Sequence, residues 1–322
     1  MKTTTTLAVN LTLPPLRFVG HAGELSRLPT KSGSTMFVPD SNLLLNLLRT
    51  KGSLTKLPPA YQEYLRVVRR HVGQQWHERK SFIPVNPTYA AFELSRSGTA
   101  ANKPKFDEFF YGYLRDMHGI WDVDPRWGDA CFDELQRHVA NVLPSFAAVF
   151  EKTFALLPAA DSPSDLEIEE ACDALFAWVV ANVDELAVIG GPAMYVATYA
   201  LAGSPDARHL MKVKEARKGR AAEVSRNVAW DFVYLQHQEL SYLYRKYDET
   251  ILCTADAPLA ALVASKIHRG PRYAPTSLLH AAAVEVDGEL TPFKFRRLDP
   301  GTKLGDRLLG KYLAMLGQVS RP

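Results

Sequence analysis

At 322 residues, with 47% of them hydrophobic and 23% charged, the chain can bury a sizeable core, as one elaborated domain or as two. Its 38 Lys and Arg against 35 Asp and Glu leave a formal net charge of +3, so any case for nucleic-acid binding must come from local clusters. Three widely spaced cysteines, Cys131, Cys172 and Cys253, fit neither a disulfide framework nor a zinc site and point to a reducing cytoplasm. Met1 to Asn10 has no apolar core of a secretory leader, and no apolar run approaches a membrane span, so a cytoplasmic protein without a membrane partner is expected.

Residues 1–33 are rich in Thr, Pro and Gly and read as an irregular lead-in. Ser34 to Pro39 is a short apolar strand, running through Asp40 into a Leu-rich helix over Asn42 to Arg49. Tyr61, Tyr64, Leu65 and Val68 recur at helical spacing, and a further helix starts after Asn86-Pro87 and carries Glu93. A helical insertion is expected over about 105–218, in segments Phe109 to Met117, Phe132 to Leu157, Leu166 to Val188 and Met194 to Leu201. Asn227 to Tyr247 is another long helix. Thr250 to Thr254 is a β-prone strand that ends at Ala255-Asp256, followed by Pro258 and a helix to Ser265. Residues 267–322 form a C-terminal extension with a terminal helix, in which Ala282 to Val286 and Thr291 to Phe295 flank Asp287-Gly288 as a β-hairpin.

Two strand–acid–helix units separated by helices predict an α/β fold with a mostly parallel central sheet, and ligands of such sheets bind beyond the carboxyl ends of the strands. Asp40 and Asp256 occupy that edge. They meet only if their strands are neighbours, and close carboxylates repel unless a cation or proton neutralises them. Mg2+ or Mn2+ suits carboxylate oxygens, and a pair of such ions holds the attacking and leaving oxygens of a phosphodiester in line. Taken singly, an Asp after a strand is more often a helix N-cap than a metal ligand.

The run Phe37-Val38-Pro39-Asp40-Ser41-Asn42-Leu43-Leu44 resembles the opening motif of the PIN-domain nucleases. Thr88-Tyr89-Ala90-Ala91-Phe92-Glu93-Leu94 resembles the segment in which that family presents its second acid. Ile251-Leu252-Cys253-Thr254-Ala255-Asp256 resembles its closing strand, and Asp231 opens the preceding helix as the third acid does. The resemblance covers roughly 34–97 and 226–266, within a nuclease core at 34–266. It implies a three-layer PIN-like fold and metal ligation by Asp40, Asp231 and Asp256, with Glu93 a ligand or a positioner of the attacking water. Asn42 and Thr254 are then supporting polar groups. The sequence departs from the family pattern in the bulky residues Phe232, Val233 and Tyr234 after Asp231, in the length from Asp231 to Asp256, and in the long gap after Glu93; Glu239 is a reserve candidate.

The reaction so implied is metal-dependent phosphodiester hydrolysis, with RNA ahead of DNA because the resemblance points to toxin-like endoribonucleases of toxin–antitoxin pairs. An inhibitory protein partner and homo-oligomers follow from the same resemblance. Arg208 to Arg226 adds local charge: Lys212, Lys214, Arg217, Lys218 and Arg220 form a phosphate-binding face or a merely solvated helix. Asp165, Glu167, Glu169 and Glu170 read as a solvated helix start, and Gly190-Gly191-Pro192 as a helix stop and restart. Two rival expectations stand beside the nuclease: an inactive PIN-like scaffold that binds RNA or a protein, and an α/β phosphohydrolase acting on small molecules.

Overall fold

The structure, a computed structural model, describes residues 17–19, 35–50, 55, 57, 61–62, 64–66, 68–70, 85–97, 100–187, 191–240, 249–254, 284–286, 289–291, 295–298 and 301–319. The chain divides into two compact units, Met1–Arg137 with Leu240–Ala260, and His138–Glu239 with Ala261–Pro322.

In the first unit, β1 (Arg17–Val19), β2 (Thr35–Pro39) and β5 (Glu249–Thr254) form a sheet in the order β1-β5-β2. β2 runs parallel to β5, with Phe37 opposite Ile251 and Pro39 opposite Cys253, whereas β1 is antiparallel to β5. Pro39 has no N–H to give the ladder. The next residue supplies one, as the Asp40 amide donates to the Cys253 carbonyl at 3.0 Å. Val85 adds a single parallel bridge to Phe37.

α1 (Ser41–Arg49) buries Leu43, Leu44 and Leu47 on one face, the spacing of an amphipathic helix. That helix packs against α2 (Thr88–Ser95), which is buried along most of its length. A small ribbon, β3 (Arg96–Ser97) with β4 (Ala100–Ala101), leads into α3 (Lys103–Gly112). α3 gives way to a π-helical turn, Tyr113–Met117. Phe92, Phe106 and Phe132 then close an aromatic cluster, with ring centroids 5.2 to 5.5 Å apart.

Among the described residues, the second unit is helical apart from one ribbon. Its long element, α4 (Pro125–Leu156), begins in the first unit, continues through Pro144, and places Phe146 and Phe150 against Phe232 at 5.9 and 4.8 Å. Contrary to the expectation from sequence, α4 is long and apolar enough to cross a membrane by length and composition; its buried residues recur at helical spacing, as in a core helix. α5 (Asp165–Ala181), α6 (Gly191–Leu201), α7 (Pro205–Leu210), α8 (Ala221–Leu240) and α9 (Lys303–Val319) complete the helices considered below. α9 packs on α5 through Tyr312 against Phe176, and through Lys311 to Asp173 at 2.6 Å. β6 (Val284–Val286) and β7 (Glu289–Thr291) pair antiparallel.

The expected three-layer α/β PIN-like fold with a mostly parallel sheet is not what forms. The protein is mostly helical, and β2 with β5 is its one parallel strand pair among the described residues. The physical reason is strand supply. The first strand–acid–helix unit describes its own junction correctly, and of the second only the strand lies among the described residues; but a layered sheet needs several parallel strands to cover, and nearly all the described chain between residues 103 and 240 is helical.

Candidate functional site

The junction of β2 with α1 holds the buried carboxyl group of Asp40. Asp40 has an extended backbone, φ −76° and ψ 168°, as the N-cap of α1, and is 3% exposed. Its Oδ1 accepts the Leu43 amide at 2.6 Å, and its Oδ2 accepts the Thr254 hydroxyl from the end of β5. The parallel register brings these two residues together from opposite ends of the sequence.

Around this carboxylate lies a shell of hydroxyls and a thiol. Burial, then the charge of Asp40, pushes the Tyr61 hydroxyl up to about 12, with Asn46 opposing. Burial also holds Tyr64 and Tyr113 well above the usual phenol range; the two hydroxyls are 2.6 Å apart. The Cys253 thiol is raised by burial and then by Asp40. All of these groups stay neutral at physiological pH, so the Asp40 carboxyl has protonated neighbours.

The other acids are placed differently. Glu93 is half-buried on α2, the helix packed against α1, and Asn42 is exposed in the first turn of α1. Asp231 is half-buried on α8 in the second unit, and Glu239 lies further along that helix. Asp256 lies outside the described residues, two positions beyond Thr254. Among the described residues, no three His, Cys, Asp or Glu side chains group as a metal site. The donor chemistry at Asp40 nonetheless fits a hard cation as one ligand, because Mg2+ and Mn2+ prefer carboxylate oxygen.

In the second unit the basic segment resolves into two kinds of residue. Arg208, only 10% exposed in its side chain, donates to the Ala200 carbonyl and pairs with Asp161 at 3.1 Å. Burial first, and then the neighbouring Arg217, lowers its pKa, while Asp161 opposes them. Arg217 reaches the same carboxylate at 3.2 Å and the Pro158 carbonyl at 3.0 Å, and Arg220 pairs with Glu223 at 2.6 Å. These arginines tie their own unit together. Lys212, Lys214 and Lys218 are exposed and form no ion pair among the described residues. Lys212 has φ +54°, a left-handed conformation that costs a non-glycine residue energy, and Gly219, at φ +83°, makes the second kink. Sequence periodicity puts Tyr61 and Tyr64 at helical spacing and leaves Tyr113 unremarked within a helix. Nothing in their spacing marks them as neighbours of Asp40, since that proximity depends on the sheet.

Compared with protein-family models, with curated proteins and with solved structures, the chain finds no match.

Proposed function

We propose that this chain is a Mg2+- or Mn2+-dependent nuclease that hydrolyses phosphodiester bonds, with RNA the preferred substrate. What most supports the reading is the parallel pairing of β2 with β5, which sets Asp40 beside Thr254 two residues before Asp256. Strand adjacency was the condition under which those two acids meet. The resemblance of these segments to PIN-domain nucleases carries the choice of reaction; the overall fold does not.

When bound, the cation supplies Lewis-acid stabilisation of the charge that develops on the phosphodiester. Asp40 would be one of its ligands, with the Thr254 hydroxyl fixing the orientation of the carboxylate. Glu93, Asp231 and Asp256 are the further acids of the reading, and Asn42 is a supporting group. Lys212, Lys214 and Lys218, with Arg217 and Arg220 at their flank, bind the phosphate backbone. The three unbridged cysteines fit a cytoplasmic setting.

An RNA-cleavage assay with Mg2+ or Mn2+ tests this directly. Asp40→Asn and Asp256→Asn abolish cleavage, and Thr254→Val lowers it by about 10- to 100-fold, as loss of an orienting partner does. Equal cleavage by wild type and both Asp variants refutes the metal-site assignment.

One observation favours a second reading, an inactive scaffold that binds RNA or protein. Both oxygens of the buried Asp40 already accept hydrogen bonds from the protein, an arrangement sufficient for a purely structural cap. Calorimetric titration with Mn2+ separates the two: saturable binding that disappears in Asp40→Asn supports the nuclease, and a flat titration supports the scaffold.

A further inference from the structure

The first unit carries an open cavity of about 660 Å3 between the end of α1 and the turn that follows α3. That size is typical of small-ligand sites. Its lining passes from buried Gly112, through half-buried Leu48 and Phe109, to the exposed Glu108, Arg115, Asp116 and Trp121.

Three features make this more than a surface depression. Arg115 and Asp116 stand on the π-helical turn Tyr113–Met117, a rare geometry that occurs often at functional sites. The turn is anchored from behind by the bond between the Tyr113 and Tyr64 hydroxyls, and by Arg69 Nε donating to the Met117 carbonyl at 2.6 Å. Trp121 is 71% exposed at the rim, with the Arg115 guanidinium 5.6 Å from its ring centroid. Large aromatic rings are costly to leave in water, and here one adjoins the apolar floor made by Leu48 and Phe109.

The charges select among ligand chemistries. An anionic phosphate meets two carboxylates, Glu108 and Asp116, against a single guanidinium that Asp116 already holds at 2.6 Å. A cation meets Arg115 stationed over the aromatic ring. A neutral planar ring with hydrogen-bond donors along one edge fits best: it stacks on the exposed Trp121 and donates to Glu108, the carboxylate that Arg115 does not hold. Among nucleobases, guanine presents adjacent ring N–H and amino donors that match one carboxylate in bidentate fashion.

We propose that this cavity is a subsite for one unstacked guanine base of a single-stranded RNA, stacked on Trp121 and recognised along its donor edge by Glu108. The assignment rests on the reading of the chain as an RNA-acting protein and names what that protein selects. Leu48 lies eight residues beyond Asp40 on α1, about 12 Å at 1.5 Å per residue, or roughly three to four stacked bases. A guanine held in the cavity therefore sets which phosphodiester comes to the strand ends.

The test is calorimetric titration of the full chain, in EDTA, with guanosine, adenosine, cytidine and uridine. These ligands lack phosphates and the buffer lacks metal, so the result is independent of cleavage. Guanosine binds about tenfold or more tightly than the other three. Trp121→Ala weakens guanosine roughly 5- to 150-fold, the range for loss of a stacking ring, and Glu108→Gln abolishes the preference over adenosine. Trp121→Phe, which keeps an aromatic face, retains guanosine selectivity, and unchanged thermal midpoints show that the variants are folded. Absence of saturable guanosine binding, equal affinity for all four nucleosides, or unaltered guanosine affinity in Trp121→Ala overturns the proposal. Guanosine binding by a chain that cleaves no RNA refutes the nuclease and leaves the subsite standing.

Discussion

Two helices of this protein begin in the same chemical manner and to different ends. At α5, Ser164 and Glu167 form a reciprocal capping box, with Glu167 Oε2 accepting the Ser164 amide at 2.7 Å, all of it exposed and complete within four residues. At α1, Asp40 accepts the Leu43 amide as a cap but commits its second oxygen to Thr254, 214 positions away, and is buried. A local cap stabilises a helix. A cap that also reaches across a sheet fixes where the helix stands relative to the neighbouring strand, and so holds a carboxylate at the end of a strand pair.

This contrast sets the order of expected effects. Asp40→Ala removes both the cap and a hydrogen bond to a charged group, and should cost about 3 kcal/mol in urea denaturation. A loss as small as that at Ser164 would mean that the cross-sheet bond contributes nothing. Thr254→Val keeps the shape but leaves the buried Oδ2 without that donor, for about 2 kcal/mol. The buried side of the comparison should also be the acid-sensitive one. His118 is buried, with its pKa depressed to about 3, first by burial and then by the charge of Arg69. Because the folded pKa is the lower, the unfolded chain takes the proton first, and stability falls as pH drops from about 6.5 towards 3. Between about pH 5 and 4 the difference between wild type and His118→Leu should change by about 1.4 kcal/mol. A pH-independent difference would remove His118 from the account. Ser164→Ala, at the exposed cap, should cost about 1 kcal/mol, read as a small shift in the urea midpoint.

The same contrast explains what the sequence made legible. The apolar run ending at Pro39, the acid after it and the Leu-rich period beyond specify strand, cap and helix from adjacent residues, and β2 and α1 lie where those signals put them. The Thr250 to Thr254 run likewise lies within β5. The architecture was not legible, because junction motifs do not report how many strands will pair, and β1 lay within a stretch that reads as irregular. At the candidate site, Asp40 and Thr254 were legible as motif members, and their hydrogen bond depends on a register set by tertiary pairing. The basic segment was legible as charge only: whether an arginine is free for phosphate turns on partners such as Asp161, which lies 47 and 56 residues from Arg208 and Arg217. The π-helical turn had no signal in the 3.6-residue period that makes Phe109 to Met117 read as one helix.

The β2–β5 pairing also has a consequence in time. Chains are synthesised at roughly 5–20 residues per second, so Thr254 emerges roughly 10–40 s after Asp40, from which it is separated by 214 positions. During that interval α1 can be capped through Leu43, but the Thr254 hydroxyl is not yet there for the second carboxylate oxygen. The completed environment of Asp40 is a late product of translation, reached after the long helical middle of the chain has left the ribosome, and a chain truncated before β5 has its first helix without its strand-end centre.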